Sequence, residues 1–141
     1  MRNLFDSYGY SLGKASQAMG ERFAPSLEPY GLDSREFGVL CFIGRNPGIS
    51  QADIGQMMRV DRTTMVTIID HLERHKYCKR VRSLADRRSY AINLTQSGRR
   101  LVKDLWTVMR QCEDEALEAL PQEVQSVLLG IAAHLQQGKQ S

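Results

Sequence analysis

Two short amphipathic segments joined by a turn, within residues 50–75, constrain the fold more than any other part of the sequence. The first follows Ser50, which suits an N-cap, and Asp53 three residues later completes the spacing of a capping box. The second follows Asp61, another good N-cap, and extends to about His75. Two short helices joined in this way predict a helix-turn-helix unit. The apolar positions expected to be buried on the first helix are Ile54, Met57 and Met58.

The second helix has two contrasting faces. At about 100° per residue its apolar side chains fall within one quadrant, which predicts a side facing the core. These residues are Met65, Ile68, Ile69 and Leu72. The opposite side carries short hydroxyl groups where a solvated helix usually carries Glu or Lys, and such groups allow close approach to the bases and phosphates of a nucleic acid. The DNA-contacting residues predicted on this helix are Arg62, Thr63, Thr64, Thr67, His71 and Arg74.

A cationic β-hairpin is predicted directly after this helix. Residues 77–82 have the pattern of one strand, and Tyr90, Ile92 and Leu94 alternate on one face of a second. The loop between the strands is polar and basic, and an arginine at such a tip suits the negative potential of a narrow minor groove. Asp86 is expected to fix an arginine or the loop by a charge-assisted hydrogen bond. The hairpin residues predicted to serve DNA binding are Arg80, Asp86, Arg87 and Arg88.

The charge distribution also points to a polyanionic partner. Residues 59–100 contain 11 Lys or Arg and 4 Asp or Glu, a net charge of +7. Residues 1–58 contain 5 and 6, a net charge of −1, and residues 101–141 contain 3 and 6, a net charge of −3. The basic middle third of the chain therefore predicts binding to nucleic acid.

Long amphipathic helices are predicted at both ends of the chain. The first extends from Asn3 to about Leu27, one begins near Gln96, and the last has Pro121 at its first position. Their apolar stripes exceed what one small lobe covers, so we expect a symmetric dimer; an entirely intramolecular bundle is the alternative. The residues predicted to form the dimer interface are Leu4, Phe5, Tyr8, Leu12, Val127, Leu128, Ile131 and Leu135.

The chain resembles the MarR family, the multiple-antibiotic-resistance type of winged helix-turn-helix regulators, over nearly its whole length. The residues that carry the resemblance are Leu72-Glu73, Arg80, Asp86-Arg87-Arg88, Leu94-Thr95 and Gly98, supported by Tyr30-Gly31-Leu32, Ser50-Gln51 and Ile54. One departure is Lys76, which stands where the family usually has a glycine with positive φ. We therefore expect Lys76 to end the recognition helix at a small cost in strain.

The resemblance implies a mainly α (α+β) fold in a single domain spanning residues 1–141. A winged helix-turn-helix lobe with a two-stranded wing would occupy residues 33–97, and dimerisation helices would occupy residues 1–30 and 98–138. Each lobe of a homodimer would place one helix in the major groove and one wing in the minor groove of an inverted-repeat, double-stranded operator. Ser50 and Gln51 are included among the expected DNA contacts.

The implied function is sequence-specific regulation of transcription, most simply by a repressor that a small aromatic ligand releases from DNA. Two alternatives remain open. One is a dimeric winged-helix module that works mainly through protein partners and binds DNA weakly. The other is a thiol-based redox sensor that uses Cys78, whose neighbours Tyr77 and Lys79 could lower its pKa. Cys41 and Cys112 fall on apolar stripes and are expected in the core.

Other classes of protein find little support in the sequence. It has no phosphate-binding glycine loop, no GxSxG and no HExxH, so we expect no enzyme activity, catalytic residue, metal or cofactor. His71 and His75 have a spacing that can hold a metal, but phosphate contacts or plain surface positions explain them more simply. No apolar run approaches the ~20 residues of a membrane span. The absence of a readable signal sequence and the odd number of cysteines, 3, predict a cytoplasmic protein without a membrane partner.

Overall fold

Six α-helices, two 3-10 turns and three short strands form the parts of the chain that the computed structural model describes, residues 1–85 and 88–137. The helices are α1 Tyr8–Leu27, α2 Ser34–Arg45, α3 Gln51–Met58, α4 Arg62–Arg74, α5 Gln96–Leu117 and α6 Gln122–Gln137. The strands are β1 Ile49–Ser50, β2 Cys78–Arg82 and β3 Tyr90–Leu94. This arrangement confirms the predicted fold class. Within the described ranges no helix combines the length and apolar character that crossing a membrane requires.

The first predicted helix is shorter than expected at its start. Leu4–Asp6 forms a separate 3-10 turn, and Ser7 adopts an extended conformation with ψ 121°. The hydroxyl of Ser7 then caps α1 by accepting a hydrogen bond from the amide of Tyr10. A helix running continuously from Asn3 is therefore wrong, because the cap at Ser7 interrupts the backbone.

Side-chain caps begin the helices of the central lobe. Asp33 and Glu36 form a reciprocal capping box at α2. At α3 the hydroxyl of Ser50 accepts from the amide of Asp53 at 3.0 Å, while the backbone of Ser50 pairs in β1 with Ala91. At α4 the predicted cap is confirmed, since Asp61 accepts from the amide and the hydroxyl of Thr64.

The apolar sides of these helices enclose the core. The predicted inner face of α4 is confirmed, because Met65, Ile68, Ile69 and Leu72 are all buried. On α3, Ile54 is buried and Met58 packs against the core, but the prediction for Met57 is wrong, since this residue is 55% exposed. Gly55 takes the inner position instead and lies against the carbonyl of Val60. The buried side of α3 is therefore rotated away from Met57.

The sheet has one strand more than the sequence indicates. β2 and β3 form the predicted antiparallel hairpin, with Cys78 opposite Leu94 and Arg82 opposite Tyr90. β1 pairs with the other edge of β3, giving the order β1-β3-β2. A strand of 2 residues contains no alternation that a sequence pattern could reveal.

The second helix of the helix-turn-helix unit, α4, is the recognition helix of the prediction, and it is followed by a left-handed residue, as predicted. Lys76 has φ +62°, and the amide of Tyr77 turns back to the carbonyl of Leu72 at 3.0 Å. A left-handed conformation costs a residue with a Cβ atom roughly 1 kcal/mol or more, whereas glycine adopts it without this cost.

We therefore expect the Lys76→Gly variant to be more stable than Lys76→Ala by about 1 kcal/mol. Urea unfolding of the two variants measures the difference, and both remove the same charge and side-chain contacts. Equal midpoints and slopes would contradict the strain assigned to this position.

The two ends of the chain leave a large apolar surface uncovered. α1 packs against α5, but no residue of α6 is buried in the single chain. We call the set of residues predicted for dimerisation the end-helix surface. Its exposed members are Leu4, Phe5, Tyr8, Leu12, Val127, Leu128 and Leu135, and Ile131 is half-buried.

Candidate nucleic-acid interface

The first half of α4 presents the predicted hydroxyl groups to solvent. Arg62, Thr63 and Thr67 are exposed, and the Thr67 hydroxyl donates to the carbonyl of Thr63 at 3.2 Å. The oxygen of Thr67 therefore keeps lone pairs that can accept from a base or another donor. Thr64 is half-buried, and its hydroxyl donates to Asp61 at 2.6 Å. Arg74 is exposed about two helical turns beyond Thr67, so one side of α4 combines hydroxyl groups with positive charge.

The cap at the start of α4 is favoured in its ionised form. Hydrogen bonds from the side chain and then the backbone of Thr64 lower the pKa of Asp61. An ionised carboxylate is the better acceptor for the free amides at a helix N-terminus. Thr64 thus helps to fix the start of α4 by its hydrogen bonds to Asp61.

The side chain of His71 points away from the exposed threonines. Its Nε2 lies 2.9 Å from the carbonyl oxygen of Gly31 and 3.6 Å from a carboxylate oxygen of Glu36. The ring of His75 lies 4.3 Å from that of His71, and its Nδ1 contacts the His71 carbonyl. The predicted DNA contact by His71 would require these contacts to break, so we leave His71 out of the proposed interface. Among the described residues no group of three or more His, Cys, Asp or Glu is placed to hold a metal.

Ser50 and Gln51, at the start of α3, are half-buried. Ser50 serves as the helix cap, and the Gln51 side-chain oxygen accepts from Nε of Arg80 at 3.2 Å. Both side chains thus have roles inside the lobe, and their contact with DNA stays a prediction.

Arg80, on β2, faces the helix-turn-helix unit. Its Nη2 lies 2.6 Å from Asp70 and its Nη1 lies 3.5 Å from Glu73, and only 18% of its side chain is exposed. Two carboxylates therefore already engage the guanidinium that was predicted to contact DNA. The sequence separation of these residues explains why the pairing was missed.

The tip of the hairpin is described only in part. Asp86 and Arg87 lie outside the described residues, so their predicted roles stay predictions. Arg88 is exposed, and the amide of Ser83 donates to the carbonyl of Ser89 at 3.0 Å across the loop. On β2, exposed Arg82 lies 5.9 Å from the ring of Tyr90. Arg82 adds a cation that the prediction had not assigned to DNA, although its place in the basic hairpin was a signal.

A largely apolar cavity of about 780 Å³ lies between α1, α2 and α5. Aromatic and thioether side chains form much of its wall, including Phe23, Phe37, Trp106 and Met109. Three cationic residues and one acidic residue also line it: Arg45, Arg99, Lys103 and Glu113. Sequence patterns could not identify this set, because its members come from separate helices and share no spacing.

Cys78 does not support the redox alternative. Cys78 is 1% exposed, and burial, followed by the nearby Glu73 carboxylate, raises the pKa of its thiol from 9.0 to about 11. This rise lowers the thiolate fraction near neutral pH by about a hundredfold. The hypothesis that Cys78 has a lowered pKa is therefore wrong. Its neighbours in sequence are polar, but its side chain points into the core. Burial likewise raises the pKa of Cys41 to about 11.

Known proteins are similar to this chain in sequence. The model of the MarR family matches residues 30–89. A protein of Thauera aromatica, named as a transcriptional regulatory protein for the hcr operon, is 32% identical over 108 residues, which are 75% of this chain and 65% of that protein. The chain thus spans slightly less than two thirds of that relative. The transcriptional repressor Rv2887 of Mycobacterium tuberculosis is 30% identical over 112 residues, 79% of this chain and 81% of that protein.

The fold is shared as well. The structure of the transcriptional repressor CouR bound to a 23-mer DNA duplex is similar, with a TM-score of 0.86, 30% identity and 94% of each chain covered. The match includes the end helices as well as the lobe, given this coverage. Sequence and structure together show that the chain belongs to the MarR family of transcriptional regulators, which are not enzymes.

Proposed function

We propose that this regulator is a homodimeric, sequence-specific DNA-binding repressor that a small ligand releases from its operator. The observation that carries the proposal is the exposed row of hydroxyl and guanidinium groups on α4, within a segment of net charge +7. Similarity to a repressor whose structure contains a DNA duplex supports it.

The recognition helix would read the major groove through its first turns. The hydroxyl groups of Thr63 and Thr67 are short enough for the helix to approach base edges, and the Thr methyl groups can contact thymine. Arg62 adds a cation at the helix N-terminus, where its guanidinium can contact a phosphate oxygen. Arg74 would contact the phosphate backbone farther along the same side.

The hairpin would bind in the minor groove next to the major groove that α4 occupies. Arg82 and Arg88 are exposed on this hairpin, and the sequence adds Arg87 and Asp86 at its tip. Guanidinium groups favour a narrow minor groove because the potential there is most negative. The helix would then supply specificity, and the hairpin affinity and orientation.

A second copy would cover the end-helix surface. Phe5 is 62% exposed and Val127 is 64% exposed in the single chain, and apolar areas of this kind usually mark interfaces. A two-fold dimer would present two recognition helices to one side of the duplex, so the operator should be an inverted repeat.

The threonines of α4 provide a test of sequence reading. We expect Thr63→Ala and Thr67→Ala each to weaken operator binding by roughly 1–3 kcal/mol while leaving binding to unrelated duplexes nearly unchanged. Titrations of each variant against operator and scrambled duplexes measure both quantities. Ser97→Ala, an exposed hydroxyl substitution at the start of α5, is the matched control. Equal losses on both duplexes would show phosphate contacts and contradict base reading.

The cavity between α1, α2 and α5 would hold the ligand. Its aromatic wall suits a ring, and Arg45, Arg99 and Lys103 suit an acidic group, so a small aromatic acid fits both features. α2 belongs to the DNA-binding lobe, whereas α1 and α5 connect to the end-helix surface. A ligand between them can therefore change the spacing of the two lobes and weaken binding to DNA.

The single tryptophan reports on this cavity, since Trp106 lines it. We expect benzoate and naphthoate to change Trp106 fluorescence and to weaken operator binding over the same concentration range, because one occupied site produces both effects. Benzyl alcohol, which lacks the acidic group, should act more weakly. Aromatic acids that alter neither signal, or that alter the fluorescence without weakening DNA binding, would contradict ligand release through this cavity.

A further inference from the structure

Arg80 connects the hairpin to both helices of the helix-turn-helix unit. Besides its contacts to Asp70 and Glu73, its Nε donates to Gln51 of α3 at 3.2 Å and its Nη2 donates to the carbonyl of Val66 of α4 at 3.4 Å. The backbone amide of the same residue donates to Glu73 at 2.8 Å. One side chain of β2 thus contacts α3 and two successive turns of α4.

Little of this guanidinium remains for a phosphate group. A guanidinium has five N–H donors in a fixed plane, and here both terminal nitrogens and Nε already face protein oxygens. The local charge also disfavours a phosphate contact, since two carboxylates lie beside one guanidinium. Asp70 and Glu73 keep 49% and 39% of their side chains exposed, so they would face solvent or DNA unneutralised if Arg80 were lost.

We propose that Arg80 is a positioning residue that sets the angle between the recognition helix and the hairpin, so that both engage DNA at once. The inference rests on the proposed DNA-binding function and specifies how the lobe achieves it. The planar fork matters more than the charge, because only a fork reaches Gln51, Val66 and the two carboxylates together. A phosphate contact, in contrast, can also be made by a lysine, which binds phosphate as a point charge.

The Arg80→Lys variant separates the two roles. A positioning role predicts that lysine fails to replace arginine and that operator binding weakens by roughly tenfold or more, with an unchanged dependence on salt. Hydroxyl-radical footprints should lose the minor-groove protection that flanks each half-site, while dimethyl sulfate footprints should keep the major-groove protection by α4. Lys79→Ala is the matched control, because it removes one exposed cation from the same strand. Thermal unfolding of each variant verifies that binding is measured on folded protein.

A double-mutant cycle with Asp70→Asn gives a second, isosteric test. If Arg80 acts through Asp70, then Asp70→Asn weakens operator binding although it removes a negative charge. In that case Arg80→Ala lowers the operator affinity of the Asp70→Asn protein by less than it lowers the affinity of the wild-type protein. If Arg80 contacts phosphate, Asp70→Asn strengthens binding and the two effects add. If the Arg80→Ala variant does not fold, the direction in which Asp70→Asn changes operator affinity still distinguishes the positioning role from a phosphate contact.

Two outcomes would overturn the inference: wild-type affinity for Arg80→Lys, or tighter operator binding by Asp70→Asn. Either result would leave the proposed function intact, because the wild-type protein would still bind its operator. A wild-type protein without operator binding would instead contradict the proposed function itself.

Discussion

Replacement of Gly98 by alanine is expected to destabilise the protein by about 3 kcal/mol or more, one of the largest effects of any single methyl group in this chain. Gly98 is buried in the first turn of α5, and a Cβ atom there would overlap the carbonyl oxygen of Tyr77. The obstacle is backbone rather than a flexible side chain, so rotamer changes cannot relieve it.

The surrounding hydrogen bonds explain why the backbone cannot simply move away. Thr95 caps α5, its hydroxyl donates to the carbonyl of Lys76 at 2.6 Å, and its amide donates to the carbonyl of Tyr77 at 3.0 Å. The start of α5 is thereby held against the segment that ends the recognition helix. Separating the two segments to fit a methyl group would break these bonds.

Urea unfolding of Gly98→Ala measures the expected loss, and Ser97→Ala, one residue earlier and exposed, is the control. The control should change the free energy of unfolding by no more than about 0.5 kcal/mol. A Gly98→Ala protein as stable as the control would show that α5 does not pack so closely on Tyr77.

The second large effect concerns assembly. Deletion of residues 1–14 should convert a dimer into a monomer or an aggregate, and operator affinity should fall by at least about a hundredfold, because two linked half-site contacts become one. Sedimentation of the intact and shortened chains gives the oligomeric state, and titration of an operator duplex gives the affinity. The deletion removes Leu4, Phe5, Tyr8 and Leu12 from the end-helix surface.

A single substitution on α6 tests the same interface without removing a helix. Val127→Glu should be tolerated within the chain, since Val127 is already largely exposed, yet it would place a charge in the dimer contact. Met57→Glu, an equally large change at an exposed site on α3, should leave the dimer intact. An intact chain that sediments as a monomer at micromolar concentration and still binds an inverted repeat tightly would refute the dimer.

Features set by local spacing could be predicted from the sequence. The cap at Asp61 and the inner face of α4 depend on residues within about two helical turns of one another, and both are confirmed. The left-handed Lys76 is also confirmed, because the family resemblance marked a position that requires positive φ.

Features set by contacts between distant parts of the chain could not be predicted. The Arg80 side chain meets Gln51 across 29 positions, and no pattern in the sequence pairs them. The hypothesis of a lowered pKa for Cys78 is wrong for a related reason. Its sequence neighbours Tyr77 and Lys79 do not determine which face of β2 is buried. The exposure of Met57 has a different, local cause, since Gly55 takes the inner position of α3 against the carbonyl of Val60.

Selection of duplexes from a random-sequence library by the intact protein tests the central claim most directly. We expect enrichment of one inverted repeat with half-sites centred roughly 10 bp apart, bound by two chains per duplex and weakened steeply by salt. Enrichment of no sequence, or of a single half-site bound by one chain, would contradict a dimeric, sequence-specific DNA-binding protein. The first of these results would favour a winged-helix module that acts through protein partners.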